Sequence, residues 1–442
     1  MIGRGNHLHK KKIGICLLVG MAILGILACA LCRTGGWNGV LQNVRSEENS
    51  GQTAVTKQSF YFDTICQITI YEMAAADSGQ PGDSEQNASG QQTPERTFEQ
   101  EAGKAITDAF TLCSEYEKLL SKTVEDSDIW NINHAAGEAV PCDSRTIAVI
   151  EKGIQYGELS GGGFDITIGK AEDLWDFHEV AEQTSDKNDS DKNDSDENDS
   201  DENVSGESTS SAQGENLKEE SSELSFGLPD ETALAEAVSH VDYRNIQIDT
   251  AAGTVRLTDP EAEIDLGGIA KGYIADRVCE ALEQAGVTAA IVSLGGNIEC
   301  IGSKPDAIGY HSEDTEYGAF HIGIETPYSD RTEVVGSSEL TDGTMVTSGV
   351  YERYITVDGK EYHHILDVQT GYPVDTDVLS VTIRGPAGTS ADCDALSTTC
   401  LILGAEKGMD LIEKMDGYEA LFIMQDESVT MTSGMNFTAA GE

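Results

Sequence analysis

The chain has 442 residues, enough for one large domain or two ordinary ones with a sizeable core. It carries 78 Asp and Glu against 28 Lys and Arg, a formal net charge of −50, which excludes a nucleic-acid partner because the phosphate backbone would be repelled. Ten cysteines offer no zinc spacing except Cys29 and Cys32, which end an apolar run, so scattered free thiols buried in the core are expected.

In chain order, Arg4, Lys10, Lys11 and Lys12 precede an apolar run over residues 13–32. This is the n-region and h-region of an export signal, and at ~1.5 Å per residue it is long enough to cross a bilayer core. Two fates are open. Ile26-Leu27-Ala28-Cys29 resembles a lipobox that would make Cys29 a lipidated N-terminus; otherwise the segment stays as an uncleaved anchor. Either one places the remainder at the cell membrane on its extracytoplasmic face, since the basic residues stay inside. Residues 33–57 read as a polar tether, with the folded domain spanning 58–442.

A run of β-branched and aromatic residues predicts a strand over 60–71. Residues 75–98 form a Gly/Ser/Gln-rich insertion, followed by a helix over 97–120 with Ala105, Ile106, Ala109, Phe110 and Cys113 at helical spacing. Residues 179–224 are a second insertion. Within it, Asn188-Asp189-Ser190-Asp191-Lys192 recurs with period five and almost no apolar residue. It lacks the Gly and bidentate Glu positions of a calcium loop, so disorder is expected. Beyond it the pattern predicts a helix over 230–241 capped by Asp230, a hairpin over 245–257, a helix over 272–286 and a strand within 289–300. A hairpin over 351–367 turning at Asp358-Gly359 follows, then a strand over 379–384, helices over 391–403 and 405–416, and a last strand over 420–424. Strands and helices without a βαβ rhythm argue for an α+β fold.

Three stretches carry chemistry. In the predicted helix 391–403, Asp394 and Thr398 are four apart and share a face, so a carboxylate and a hydroxyl can converge on a hard cation such as Mg²⁺. The same spacing would also arise in an ordinary acidic helix start. Asp265-Leu266-Gly267-Gly268-Ile269-Ala270-Lys271 places glycines and a lysine before a helix, which suits an anion or a tight turn. His364 and Asp367 precede a Thr-Gly-Tyr-Pro turn, where a histidine could act as a general base.

Together these stretches resemble the ApbE family of FAD:protein FMN transferases. The resemblance rests on GGGFDITIGKAEDLW (161–175), EIDLGGIAKGYIAD (263–276), AIVSLGGNIECIG (290–302), VTSGVYERY (346–354), HHILDVQTGYP (363–373) and SADCDALSTTCLILG (390–404), in family order. It implies an α+β, T-fold-like domain of mixed sheets flanked by helices. It also implies Mg²⁺ held by Asp394, Thr398 and the backbone oxygen of Gly268. FAD, as substrate, would touch Phe62, Gly163, Phe164, Asp165, Asp265, Lys271 and Leu366, and His364 would be the catalytic base. The implied reaction moves FMN from FAD to a Thr or Ser hydroxyl of an acceptor protein, releasing AMP. An exported flavin subunit of a membrane redox complex would fit as that acceptor. Water in place of the hydroxyl would make the chain an FAD pyrophosphatase, and a site without turnover a flavin-binding lipoprotein. Two departures stand out: Phe62-Asp63-Thr64 replaces the common Met-Gly-Thr, and Val368 replaces a proline.

Overall fold

The computed structural model describes residues 54–75, 97–175, 177, 227–311, 317–329 and 333–441. The leader, most of the tether, the acidic repeat and the greater part of both insertions lie outside the described residues. Among the described residues no helix is long and apolar enough to cross a membrane.

The centre is an antiparallel sheet whose strands lie side by side in chain order. They are β1 (Val55–Tyr61), β2 (Thr64–Met73), β3 (Val287–Leu294), β4 (Asn297–Ile301), β5 (Gly343–Gly349), β6 (Val378–Pro386), β7 (Glu419–Met424) and β8 (Val429–Met431). A short strand, Gly309–Tyr310, adds in parallel to β2. Side chains alternate across this sheet as strand geometry requires. Along β4, Ile298 and Cys300 join Met345, Leu421 and Ile423 in a core against a three-stranded sheet built from Phe320–Glu325, Val334–Leu340 and Thr438–Ala439. The opposite face, with Val292, Val346 and Ile383, packs on the helices α1 (Phe98–Leu120), α3 (Ala270–Gln284) and α4 (Ser390–Leu403), and α2 (Ser144–Leu159) packs against α4. The fold is α+β, as expected.

Several expectations need correction. The single strand expected over 60–71 is a hairpin: β1 pairs with β2 from Val55↔Ile70 to Tyr61↔Thr64, turning at Phe62 and Asp63. Both turn residues have positive φ, 54° and 56°, and neither is the Gly or Asn that signals such a turn. Val55–Lys57, read as the end of the tether, are therefore part of β1. The strand within 289–300 is likewise a hairpin, β3 and β4, turning at Gly295-Gly296. Residues 97 and 98 belong to α1 rather than to the insertion: Thr97 and Gln100 form a capping box, and Phe98 is buried.

Other boundaries shift by a turn or less. The helix expected over 272–286 starts two residues earlier, and Gly286, at φ 89°, follows its end. The helix over 405–416 ends at Ile412, where the last turn tightens to bonds such as Lys414 N–H to Leu411 O. Asp230 caps Glu231–Val238 by accepting from the Thr232 and Ala233 amides. The hairpin Tyr354–Val357/Lys360–His363 turns at Asp358-Gly359, both with positive φ. Among the described cysteines, all seven are free and only Cys142 is not fully buried.

Candidate functional site

The site is assembled at the contact between α3 and α4. Gly272 lies in the first turn of α3, and a Cβ there would stand 2.2 Å from the Ser390 carbonyl oxygen. Its absence lets the two helices touch backbone to backbone. The Gly272 N–H, one of the amides that a helix start leaves without an intrahelical acceptor, then donates to Asp394 Oδ2 at 2.9 Å. Asp394 is 3% exposed. It does complement a helix dipole, but that of α3 rather than of its own helix. One turn on, Thr398 Oγ1 lies 3.5 Å from Ser348 Oγ of β5, and Ser397 Oγ lies 2.7 Å from the same Ser348 hydroxyl.

Gly268 closes this corner. A Cβ on it would meet Phe164 Cε2 at 2.9 Å and Thr398 Oγ1 at 3.9 Å. Only a glycine brings the Asp265–Lys271 turn this close to both. Asp394 and Thr398 thus bring a carboxylate and a hydroxyl to one cleft that Gly268 also lines, oxygen donors of the kind hard divalent cations take. Among the described residues no three His, Cys, Asp or Glu side chains gather as a metal cluster. A cation here would draw its remaining ligands from water and substrate, as Mg²⁺ does at phosphates.

Every residue expected at the site lines this one cleft: Phe62, Gly163, Phe164, Asp165, Asp265, Gly268, Lys271, His364, Leu366, Asp394 and Thr398. Their roles differ. Asp165 is 8% exposed, and its carboxylate is already engaged. Oδ1 accepts from the Thr167 amide (2.9 Å) and hydroxyl (2.7 Å), and Oδ2 accepts from the Tyr243 amide at 2.8 Å. It ties the Gly163–Ile168 loop to the segment after the acidic insertion. Phe62 holds its turn through its backbone N–H, which donates a hydrogen bond to Glu117 Oε1 at 3.0 Å. Lys271 Nζ reaches the Gly267 carbonyl at 3.2 Å.

Asp265 is held from behind by Lys122, which no local pattern marks. Lys122 Nζ lies 3.1 Å from Asp265 Oδ2, 2.7 Å from Asp173 Oδ1 and 3.6 Å from Glu172 Oε2. Burial alone would lower the Lys122 pKa, but the three carboxylates outweigh it and raise it. Burial would likewise raise Asp265; the Lys122 charge reverses this and holds it below the usual carboxylate range. Glu172, buried beside ionised Asp265, is pushed up.

His364 sits across the cleft. Its Nδ1 is 3.1 Å from the Arg353 carbonyl oxygen, which can only accept, so Nδ1 carries the proton and Nε2 is left with a lone pair. Burial, and then the positive charge of Arg353, lower its pKa to about 3. The imidazole is neutral at neutral pH, as a proton acceptor must be. Arg353 lies in VTSGVYERY, where the sequence located a matching stretch without a role. Glu352, Ser348, Thr347 and Asn297 also line the cleft without having been singled out.

The ApbE family model matches residues 62–422. The FAD:protein FMN transferase of Treponema pallidum (strain Nichols) is 29% identical over 420 residues, covering 93% of this chain and 93% of that protein. One from Klebsiella pneumoniae (strain 342) is 29% identical over 327 residues, 73% of this chain and 83% of that protein. Among solved structures, the ApbE protein of Thermotoga maritima superposes with a TM-score of 0.61 at 23% identity, covering 86% of this chain and 97% of that one. The flavin transferase ApbE of Vibrio cholerae does so with a TM-score of 0.59 at 22% identity, covering 86% and 98%. With a family model spanning the folded region and the matching stretches gathered on one cleft, the chain belongs to the ApbE family.

Proposed function

We propose that this chain transfers FMN from FAD to a Thr or Ser hydroxyl of an acceptor protein, releasing AMP. The observation that carries the reading is the neutral His364, its Nδ1–H fixed on the Arg353 carbonyl, in the same cleft as Asp394 and Thr398. His364 Nε2 would take the proton of the acceptor hydroxyl as that oxygen attacks the FMN phosphorus. The P–O bond to the AMP phosphate breaks, and AMP departs with the electron pair. No covalent enzyme intermediate is required.

The charge in the cleft supports a requirement for a divalent cation. Among the described residues, Asp63, Asp165, Asp265, Glu352 and Asp394 line it against Lys271 and Arg353, with Lys122 behind Asp265 and Glu172 pushed toward its neutral form. A pyrophosphate entering such a surface needs added positive charge. Mg²⁺ held by Asp394, Thr398 and the Gly268 carbonyl would supply it by neutralising charge on the phosphate oxygens. Lys271 adds a mobile cation, and Gly267 and Gly268 let the phosphates approach the backbone. We also read the N-terminal segment as the element that holds the domain at the extracytoplasmic membrane face. The support is the basic cluster followed by the apolar run.

The test mixes the chain with FAD, Mg²⁺ and a candidate acceptor, and follows AMP together with flavin fluorescence on the acceptor after denaturing electrophoresis. The reading expects AMP and labelled acceptor to rise together. Free FMN and AMP with an unlabelled acceptor would assign hydrolysis instead.

A further inference from the structure

Asn297 is the first residue of β4, immediately after the Gly295-Gly296 turn, and is 1% exposed. Its side chain lies on the helix-facing side of the sheet, in alternation with Ile298, which packs on the other side. It lines the cleft, yet Nδ2 has no acceptor among the described residues. Exchanging the amide's oxygen and nitrogen would only leave the oxygen in that place, without a donor. Val346 is its partner across the strand pair, and Ser348 is the diagonal neighbour, about 7–8 Å away. The Ser348 hydroxyl is the one that touches Ser397 and Thr398.

A buried carboxamide without a partner is unfavourable, and beside Val346 an apolar side chain of the same size would suit the fold better. What the amide offers is a buried N–H left without an acceptor at a residue that lines the cleft, one that a turn of the side chain would present to a ligand there. Lys271 brings charge on a flexible stem; Asn297 brings direction. We infer that Asn297 donates an N–H to a non-bridging phosphate oxygen of the incoming dinucleotide, and so fixes the phosphates beside Asp394 and Thr398. The inference rests on the reading of the cleft as an FAD site, and it makes Asn297 a phosphate-binding residue rather than a flavin-ring contact.

Two variants of the full chain test it. Asn297→Asp keeps the shape and replaces the donor by an anion. Asn297→Leu keeps the volume and removes the polar atoms. Binding of FAD, ADP and riboflavin is measured with Mg²⁺ present, and the thermal midpoint without ligand. Both variants should weaken FAD and ADP on the order of ten- to a hundredfold, the range for a lost hydrogen bond to a charged group. Riboflavin, which has no phosphate, should bind within about twofold of wild type, and Asn297→Leu should raise the ligand-free midpoint. Unchanged FAD and ADP affinities in both variants would overturn the inference. So would equal weakening of riboflavin, which places the contact on the ring, or a lowered midpoint for Asn297→Leu with affinity intact, which makes the residue structural. A wild-type chain that binds no FAD would instead remove the reading beneath it.

Discussion

Gly272→Ala probes the joint on which the site is built. Alanine is the better helix former by about 1 kcal/mol, so propensity alone predicts a more stable protein. The contact predicts the reverse. The new Cβ would meet the Ser390 oxygen at 2.2 Å, and also the Ala391 Cα at 2.8 Å, both backbone atoms that no rotamer change can move. Relief requires α3 and α4 to part by roughly 1 Å, the shortfall from ordinary van der Waals contact. Overpacking of this kind costs about 1–3 kcal/mol. Parting the helices also stretches the 2.9 Å bond from the Gly272 amide to Asp394, a charged-acceptor hydrogen bond worth about 1.5–3 kcal/mol. After the propensity gain, a net loss of roughly 2–5 kcal/mol is expected. Urea unfolding of wild type and variant measures it directly, and FMN transfer should fall as well, because Asp394 loses its anchor. A Gly272→Ala protein that is more stable than wild type, with transfer unchanged, would refute the helix-contact account.

His364→Asn should lower the rate of transfer by about 10²–10⁴-fold, the span for a lost general base, while FAD still binds. The folded-state pKa of His364, about 3, lies below its ordinary value of 6.5. Its contribution to stability is therefore complete above about pH 6.5 and is lost as pH falls toward 3, by up to about 1.4 kcal/mol per pH unit for this one group. Unfolding measured across that window should show a shallower acid slope in His364→Asn; identical slopes would contradict the assigned shift. Lys122→Met leaves Asp265, Asp173 and Glu172 facing one another without their cation, and should destabilise by about 3–5 kcal/mol at pH 7. A melting temperature equal to wild type would show that the cluster does not hold the Asp265 turn.

Much of this was readable from local pattern. Asp358-Gly359 announces its hairpin because both positions need positive φ, and Asp230 announces a helix start because its carboxylate can reach two free amides. The hairpin at Phe62-Asp63 was hidden for the opposite reason. Its turn residues are an aromatic and an aspartate in the left-handed region, inside an unbroken run that reads as one strand. The Gly295-Gly296 turn did carry a signal, a glycine pair between two apolar runs. Helix α2 was missed although Asp143 caps it and Ile147, Ile150 and Ile154 follow at helical spacing.

At the site, the residues that belong to contiguous stretches were found. Those that depend on chain-distant contacts were not. Lys122 reaches Asp265 across 143 positions, and the carbonyl that fixes the His364 tautomer belongs to Arg353, which enters the Tyr354–Val357/Lys360–His363 hairpin that His364 leaves. The acid pair at Asp165 and Asp394 shows the other limit. Sequence marks both as site carboxylates, but only packing reveals that Asp165 spends both oxygens on backbone and hydroxyl donors, whereas Asp394 accepts from the Gly272 amide through Oδ2.

The central claim is that Asp394 and its corner of the cleft support transfer of FMN to protein. Its most direct test is the intact mass of a candidate acceptor after incubation with FAD and Mg²⁺, using wild type and Asp394→Ala side by side. The account predicts that wild type adds one FMN through a phosphoester, that chelation of Mg²⁺ abolishes the addition, and that Asp394→Ala adds none. An acceptor labelled equally by Asp394→Ala, or labelled by wild type at full rate without divalent metal, would contradict it.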